Sequence, residues 1–264
     1  MTEARTFQGW RLMLAPARSG AENMARDTAL MERARETNES VFSVYSWAVP
    51  TLTLGRNQTA KDRYDLQEIR RRGIDVVRRP TGGRALLHFH EVTYSVTAPL
   101  PDDEPLSESY ERINRILLNG LERLGVHASE ANAADRTPQP GDLPCFAAPV
   151  EGELVSGGGK LVGSAQVREN GALLQHGSIL IEDDQPVIKE LLQHAAAEMN
   201  TPQAATLHEI LGRKPSIQEV ARALFDGVRA LEDPDATQLD EADVSDRVRG
   251  HLEHYANELW TWRR

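Results

Sequence analysis

RRPTGGRALLHFHEVTYSV, Arg78 to Val96, is the stretch on which the reading of this chain turns. Before it lies the apolar run Ile74-Asp75-Val76-Val77. Pro80-Thr81-Gly82-Gly83 then turns the chain and Ala85-Leu86-Leu87 resumes an extended run, so the segment reads as strand, tight loop, strand. Paired glycines place no Cβ between the main-chain N–H groups and whatever lies above them. Arg78, Arg79 and Arg84 surround the loop with fixed positive charge. The combination points to a loop that binds an anionic or acyl-carrying ligand.

Outward from this loop the periodicity alternates between strands and helices. Gly9 to Ala15 reads as a first strand and Gly20 to Arg35 as a helix capped by Ser19. Val41 to Trp47 and Pro50 to Gly55 are extended, Asp62 to Arg72 is a charged helix, and Ala85 to His88 and Val92 to Thr97 are short strands. Ser107 to Leu124 carries Tyr110, Ile113, Ile116, Leu117, Leu121 and Leu124 at helical spacing, and Gly125 stops it. Ala131 to Pro149 has no periodicity and is expected to be a long functional loop. Glu153 to Ser156, Lys160 to Arg168 and Ala172 to Ile181 read as strands, with Glu169-Asn170-Gly171 a hairpin turn. Beyond Gln185 helices are expected at about 188–199, 216–231 and 239–258. The organisation is an α+β body, residues 1–182, and a helical C-terminal extension packed on it, residues 183–264.

The totals exclude several classes. With 264 residues, 40% of them hydrophobic and 27% charged, the chain has enough apolar content for a sizeable core. No apolar run approaches the roughly 20 residues that span a bilayer, so no membrane association and a cytoplasmic location are expected. A formal net charge of −10 argues against nucleic-acid binding. Within this acidic chain Arg70, Arg71, Arg72, Arg78, Arg79 and Arg84 form a local basic cluster, either a solvated helix end or a docking surface for an acidic partner. The single cysteine, Cys145, rules out an internal disulfide framework and a cysteine-rich zinc site.

Two more segments carry candidate chemistry. Gly157-Gly158-Gly159-Lys160 delivers a lysine onto the start of a strand, where it is either a surface residue or a group that orients a carbonyl and handles protons. In Leu174-Gln175-His176-Gly177-Ser178, His176 is either a polar lining residue or a satisfied core histidine. The alternation of His88 and His90 places them on the same face of a strand, but no third ligand is evident, so no metal site is expected.

Taken together, these segments resemble the lipoate and biotin protein ligase superfamily, in its lipoate-ligase and octanoyltransferase branch, over about residues 10 to 182. Met24-Ala25-Arg26-Asp27 is similar to the early helix motif of that branch, and Pro50-Thr51-Leu52-Thr53-Leu54-Gly55 to its proline-led strand. Arg78 through Ala85 resembles the acyl-binding glycine loop. Gly159-Lys160-Leu161-Val162-Gly163-Ser164-Ala165-Gln166 resembles the lysine motif. ATP-dependent ligases usually show a third glycine and an aspartate where this chain has Arg84 and Phe89. Pro144-Cys145-Phe146, ahead of the lysine strand, is similar instead to the nucleophile position of the octanoyltransferases found in Gram-positive bacteria.

The resemblance implies a mixed β-sheet flanked by helices. It implies Cys145 and Lys160 as catalytic residues. Substrate binding falls to Arg79, Thr81, Gly82, Gly83, Arg84, Ala85, His88, Gly163, Ser164, Ala165, Gln166, His176 and Gly177, with Leu86, Val162 and Leu174 as candidate tunnel lining. On this reading Cys145 takes octanoyl from acyl carrier protein as a thioester and passes it to a lysine of a lipoyl-domain protein, such as glycine cleavage H protein. Lys160 favours the thiolate and in its neutral form accepts a proton from the amine. No cofactor is needed, because the acyl group arrives already activated. Three other readings stay open. One is a ligase that uses ATP and magnesium to adenylate free lipoate, one a transferase moving octanoyl between lipoyl-domain proteins, and one a binding module without catalysis.

Overall fold

The computed structural model of the protein describes residues 9–100, 104–131, 146, 152–193 and 203–264. In chain order the elements are β1 (Trp10–Leu14), α1 (Gly20–Thr37), β2 (Ser40–Tyr45), β3 (Thr51–Leu54), α2 (Leu66–Arg71), β4 (Asp75–Arg78), β5 (Leu86–His88), β6 (Glu91–Pro99) and α3 (Leu106–Arg123). They continue with β7 (Ser129–Glu130), β8 (Leu154–Ser156), β9 (Gly159–Glu169), β10 (Ala172–Leu180), α4 (Val187–Glu190), α5 (Leu207–Leu211), α6 (Ile217–Leu231), β11 (Thr237–Gln238), α7 (Ser245–Ala256) and α8 (Glu258–Thr261). This is the α+β architecture expected, a mixed sheet flanked by helices. A short 3-10 turn, Glu241–Val244, leads into α7.

Eight strands form the large sheet in the order β11-β1-β2-β6-β10-β9-β8-β7, and three form a small sheet in the order β4-β3-β5. In the large sheet the pairs at the β1 edge are parallel and the rest antiparallel. Its long central strands reflect their residues: Val92, Tyr94, Val96 and Ala98 face one way and pack with Phe42, Val44, Leu12 and Trp10. Ile113, Ile116, Leu117 and Leu121 of α3, with Val220, Leu224 and Val228 of α6, close that face. On the opposite face Met24, Ala25 and Leu30 of α1 pack with Met13, Val41, Tyr45 and Tyr255.

The N-terminus of α1 is fixed by Ser19, which caps Glu22 N–H while the Glu22 carboxylate accepts from Ser19 N–H, a capping box. Asn170 and Gly171 both take positive φ, 52° and 76°, and make the two-residue turn joining β9 to β10.

The structure adds one arrangement and changes two expectations. The strands around the glycine loop do not pair with each other: β4 runs parallel and β5 antiparallel to β3, so the loop crosses the end of β3. β5 stops at His88, which is buried, while His90 is exposed and faces Asp184, so the two histidines do not share a strand face. The extension is not purely helical either. Thr237–Gln238 interrupts it as an edge strand beside Arg11 and Leu12, and a short helix at Leu207–Leu211 precedes α6. Helix α4 covers only Val187–Glu190, and residues 194–199 of the expected helix lie outside the described residues.

Candidate active site

Between the large sheet, the first turns of α1 and the small sheet lies a cavity of about 150 Å³. The glycine loop walls one side through Arg79, Gly83 and Arg84. The lysine strand β9 walls the other through Gly163, Ser164 and Ala165, with His176 and Gly177 of β10 beside them. Met24, Tyr45, Trp47 and Leu86 give the wall apolar surface.

Arg79, only 6% exposed, holds the loop from within. Its guanidinium donates to the carbonyls of Gly82 (2.8 Å) and Arg84 (2.8 Å) and to Oγ1 of Thr53 (3.0 Å). Arg78 is fully buried and donates to the carbonyls of Gly55 (2.6 Å), Gln58 (2.7 Å) and Thr261 (2.9 Å). Burial, with Arg263, Arg264 and Arg79 nearby, pulls its guanidinium down to about 10. These two arginines are structural, so they leave the docking surface expected of the basic cluster. Arg71 and Arg72 pair with Glu68, and Arg72 also with Glu190.

The loop touches the end of β3 so closely that a Cβ on Gly55 would lie 2.0 Å from the Gly83 carbonyl oxygen. No side chain fits there.

Two buried relays line the cavity. In the first, Nδ1 of His176 lies 2.8 Å from Oδ2 of Asp27, so that nitrogen carries the proton, and Nε2 accepts from the Thr81 hydroxyl at 2.6 Å. Tyr45 also donates to Asp27 Oδ2 (2.9 Å), and burial pushes its phenol well above its ordinary range. In the second, Arg79 donates to Thr53 Oγ1, which lies 3.1 Å from Nε2 of His88 and 3.5 Å from the Leu86 carbonyl that accepts from it. Nδ1 of His88 then faces Oε1 of Glu91 at 3.3 Å. Burial lowers the His88 imidazole below its usual range, with Glu91 pulling the other way. The Trp47 indole stacks on His88 with centroids 4.1 Å apart.

Lys160 is 2% exposed, and its Nζ donates to Oε1 of Glu153 at 2.6 Å. Glu153 lines the cavity; Lys160 stands behind it and is not among the described lining residues. The ring of Phe146 lies 4.8 Å from Lys160 Nζ, and a Cβ on Gly163 would meet that ring at 3.0 Å. Cys145, the expected nucleophile, lies outside the described residues.

Of the residues anticipated for substrate binding, Arg79, Gly83, Arg84, His88, Gly163, Ser164, Ala165, His176 and Gly177 come together around the cavity. Thr81 joins them through His176, and Gly82 through its carbonyl on Arg79. Ala85 instead packs under the small sheet with Leu52 and Leu87, and Gln166 bonds to Gln175 away from the lining. Of the three tunnel candidates only Leu86 lines the cavity. Val162 belongs to the core under α3, and Leu174 packs on Met31 of α1.

Asp27, Tyr45, Trp47, Thr53, Glu91 and Glu153 were not anticipated. Asp27 follows Met24 by three positions, the spacing that puts both on one helix face. Glu153 begins an apolar hairpin strand that returns at Lys160 after a glycine turn, a carboxylate entering a sheet opposite a buried cation.

A glycine loop and a lysine strand facing one another across a buried cavity define a lipoate-ligase-like catalytic domain, and solved structures share the fold. A lipoate-protein ligase A bound with ATP superposes with a TM-score of 0.76 at 23% identity, covering 97% of this chain and 99% of that one. The bipartite lipoate protein ligase of Thermoplasma acidophilum gives 0.76 at 22% identity, covering 96% of both chains. The lipoyl protein ligase A/B catalytic domain family matches residues 19–229, and the chain belongs to that family. Its relatives include the octanoyltransferase LipM of Carboxydothermus hydrogenoformans, 37% identical over 84% of this chain and 86% of that protein. Another is the octanoyltransferase LipM of Brevibacillus brevis, 34% identical over 98% of this chain and 100% of that protein.

Proposed function

We propose that the protein is an octanoyltransferase that takes octanoyl from acyl carrier protein onto Cys145 and passes it to the lysine of a lipoyl-domain protein. The observation that carries this reading is the placement of Phe146, the residue bonded to Cys145, with its ring on Lys160 and on Gly163 at the cavity wall. The names of the relatives agree with it. A thiolate is a good nucleophile toward a thioester, and exchange of one thioester for another needs no nucleotide. Attack of Cys145 on the acyl carbonyl releases the carrier thiol. Attack of the acceptor amine then forms the amide and returns the cysteine. The Lys160 ammonium favours the thiolate, and the apolar wall of Met24, Trp47 and Leu86 accepts the acyl chain.

The test is an intact-mass spectrum of the protein incubated with octanoyl-acyl carrier protein in the absence of nucleotide. The expected result is a single octanoyl adduct on the wild type and none on Cys145→Ala. An adduct on Cys145→Ala removes the assignment of the nucleophile. Pyrophosphate release on adding lipoate, ATP and magnesium, without charging from the carrier, identifies a ligase instead.

A further inference from the structure

We propose that Glu91 is a positioning residue for the acyl group: from behind the cavity it holds the indole, β10 and glycine-loop walls in place relative to one another. This rests on the octanoyl-transfer reading above, but not on which residue is the nucleophile. Glu91 opens β6, is 3% exposed and is not among the described lining residues, so it acts through its neighbours.

Three arms leave its carboxylate. The first runs to the indole: Trp47 Nε1 donates to Thr93 Oγ1 at 2.8 Å, and the Thr93 hydroxyl donates to Glu91 Oε1 at 2.6 Å. The second runs to β10, where the Ser178 hydroxyl donates to Glu91 Oε2 beside Gly177, which lines the cavity. The third runs to the glycine loop. Nδ1 of His88 lies 3.3 Å from Glu91 Oε1, and its Nε2 lies 3.1 Å from Thr53 Oγ1. Thr53 Oγ1 accepts from Arg79, which also donates to the carbonyls of Gly82 and Arg84. The His88 ring stacks on Trp47 with the planes 28° apart, so the first and third arms meet.

An alkyl chain makes no hydrogen bonds, so a wall binds it through shape and contact alone. Two features set the position of the indole, its N–H on Thr93 and its face on His88, and both lead to Glu91. Buried hydrogen bonds to a carboxylate are strong and polarise one another, which makes the anchor stiff. Glutamine keeps the size of the side chain, but its amide nitrogen donates where a carboxylate oxygen accepts. At least one arm then meets donor with donor, and the wall that it holds shifts.

Wild type, Glu91→Gln, Thr93→Val and the double variant are titrated with octanamide by calorimetry, below the onset of thermal unfolding of each, so that lost folded protein does not pass for lost affinity. Donor KM and kcat are measured for transfer from octanoyl-acyl carrier protein to a lipoyl-domain acceptor. Thr93→Val keeps the shape and cuts only the indole arm. Glu91→Gln is expected to bind octanamide about tenfold more weakly and Thr93→Val about threefold, with donor KM raised alike and kcat within about 3-fold of wild type. The double variant is expected to bind no more weakly than Glu91→Gln, because both changes lie on one arm. Octanamide affinity of Glu91→Gln within about 2-fold of wild type overturns the proposal, as do a fall in kcat at unchanged KM and effects that multiply in the double variant. If Glu91→Gln does not fold, Thr93→Val decides by the same criterion. A wild type that binds octanamide but transfers nothing from the carrier removes the octanoyl-transfer reading, and the octanamide affinities still decide the role of Glu91. A wild type that does not bind octanamide overturns that role outright.

Discussion

At the scale of single residues, the site depends on buried polar groups held by specific hydrogen bonds. His88 shows the consequence most directly. Burial lowers its folded-state affinity for protons below that of the unfolded chain. Where the unfolded state binds more protons, stability rises with pH. The stability contributed by neutral His88 is therefore present above about 6.5, the ordinary histidine value, and is lost as pH falls below it. His88→Gln, neutral at all pH, is expected to flatten the fall in the urea midpoint between pH 7.5 and 5.5. An unchanged slope removes His88 from the acid response. Tyr94 belongs to the same class of committed groups: burial raises its phenol to about 12 while its hydroxyl bonds Ser164 and Gln175.

At the scale of elements, the crossing of the glycine loop over β3 is the tightest contact at the site. Gly55→Ala drives a methyl group into the Gly83 carbonyl, backbone against backbone. The expected cost is about 3 kcal/mol in chemical denaturation, with the KM for octanoyl-acyl carrier protein raised by about tenfold or more, since a displaced loop weakens binding. Gly82→Ala, with open space around it, is expected to stay within about 0.5 kcal/mol of wild type. Gly177→Ala places its methyl 2.5 Å from the Gly163 oxygen and forces β9 from β10, with a cost similar to that of Gly55→Ala.

Most of these elements could be read from the chain. Helices α1, α3 and α6 and strands β9 and β10 announce themselves by period, caps and the Asn170-Gly171 turn, all of which are local signals. The crossing at β3 was not legible, because which strand lies between β4 and β5 is set by pairings distant in sequence. The same limit hid half of each relay. Thr81, His88 and His176 stand in motifs, as Asp27 does, but that Asp27 and Glu91 are buried against those histidines is set only by the fold.

At the scale of the whole molecule, the C-terminal segment is a strap across the back of the glycine loop. Trp260 Nε1 donates to the Arg78 carbonyl, the Thr261 carbonyl accepts from Arg78, and the Arg264 carbonyl accepts from the N–H groups of Ala60 and Lys61. Trp262 lies against Tyr64. Removing residues 258–264 leaves a buried guanidinium and two backbone donors without those partners. The expected loss is about 3 kcal/mol, with a raised KM for the acyl donor because Arg78 loses the Thr261 anchor that helps hold it on the carbonyl of Gly55. A truncated protein as stable as the full chain shows that the strap is dispensable.

The edge strand Thr237–Gln238 lies beside Arg11 and Leu12, so the outer partner of β1 is supplied by a segment far from it in sequence. During synthesis β1 therefore waits for residues 237–238 to leave the ribosome before its outer neighbour exists. Until then its backbone edge is an open template for a stray strand. For this protein a chaperone that shields that edge during synthesis is expected to raise the yield of folded enzyme more than any adjustment of the finished surface.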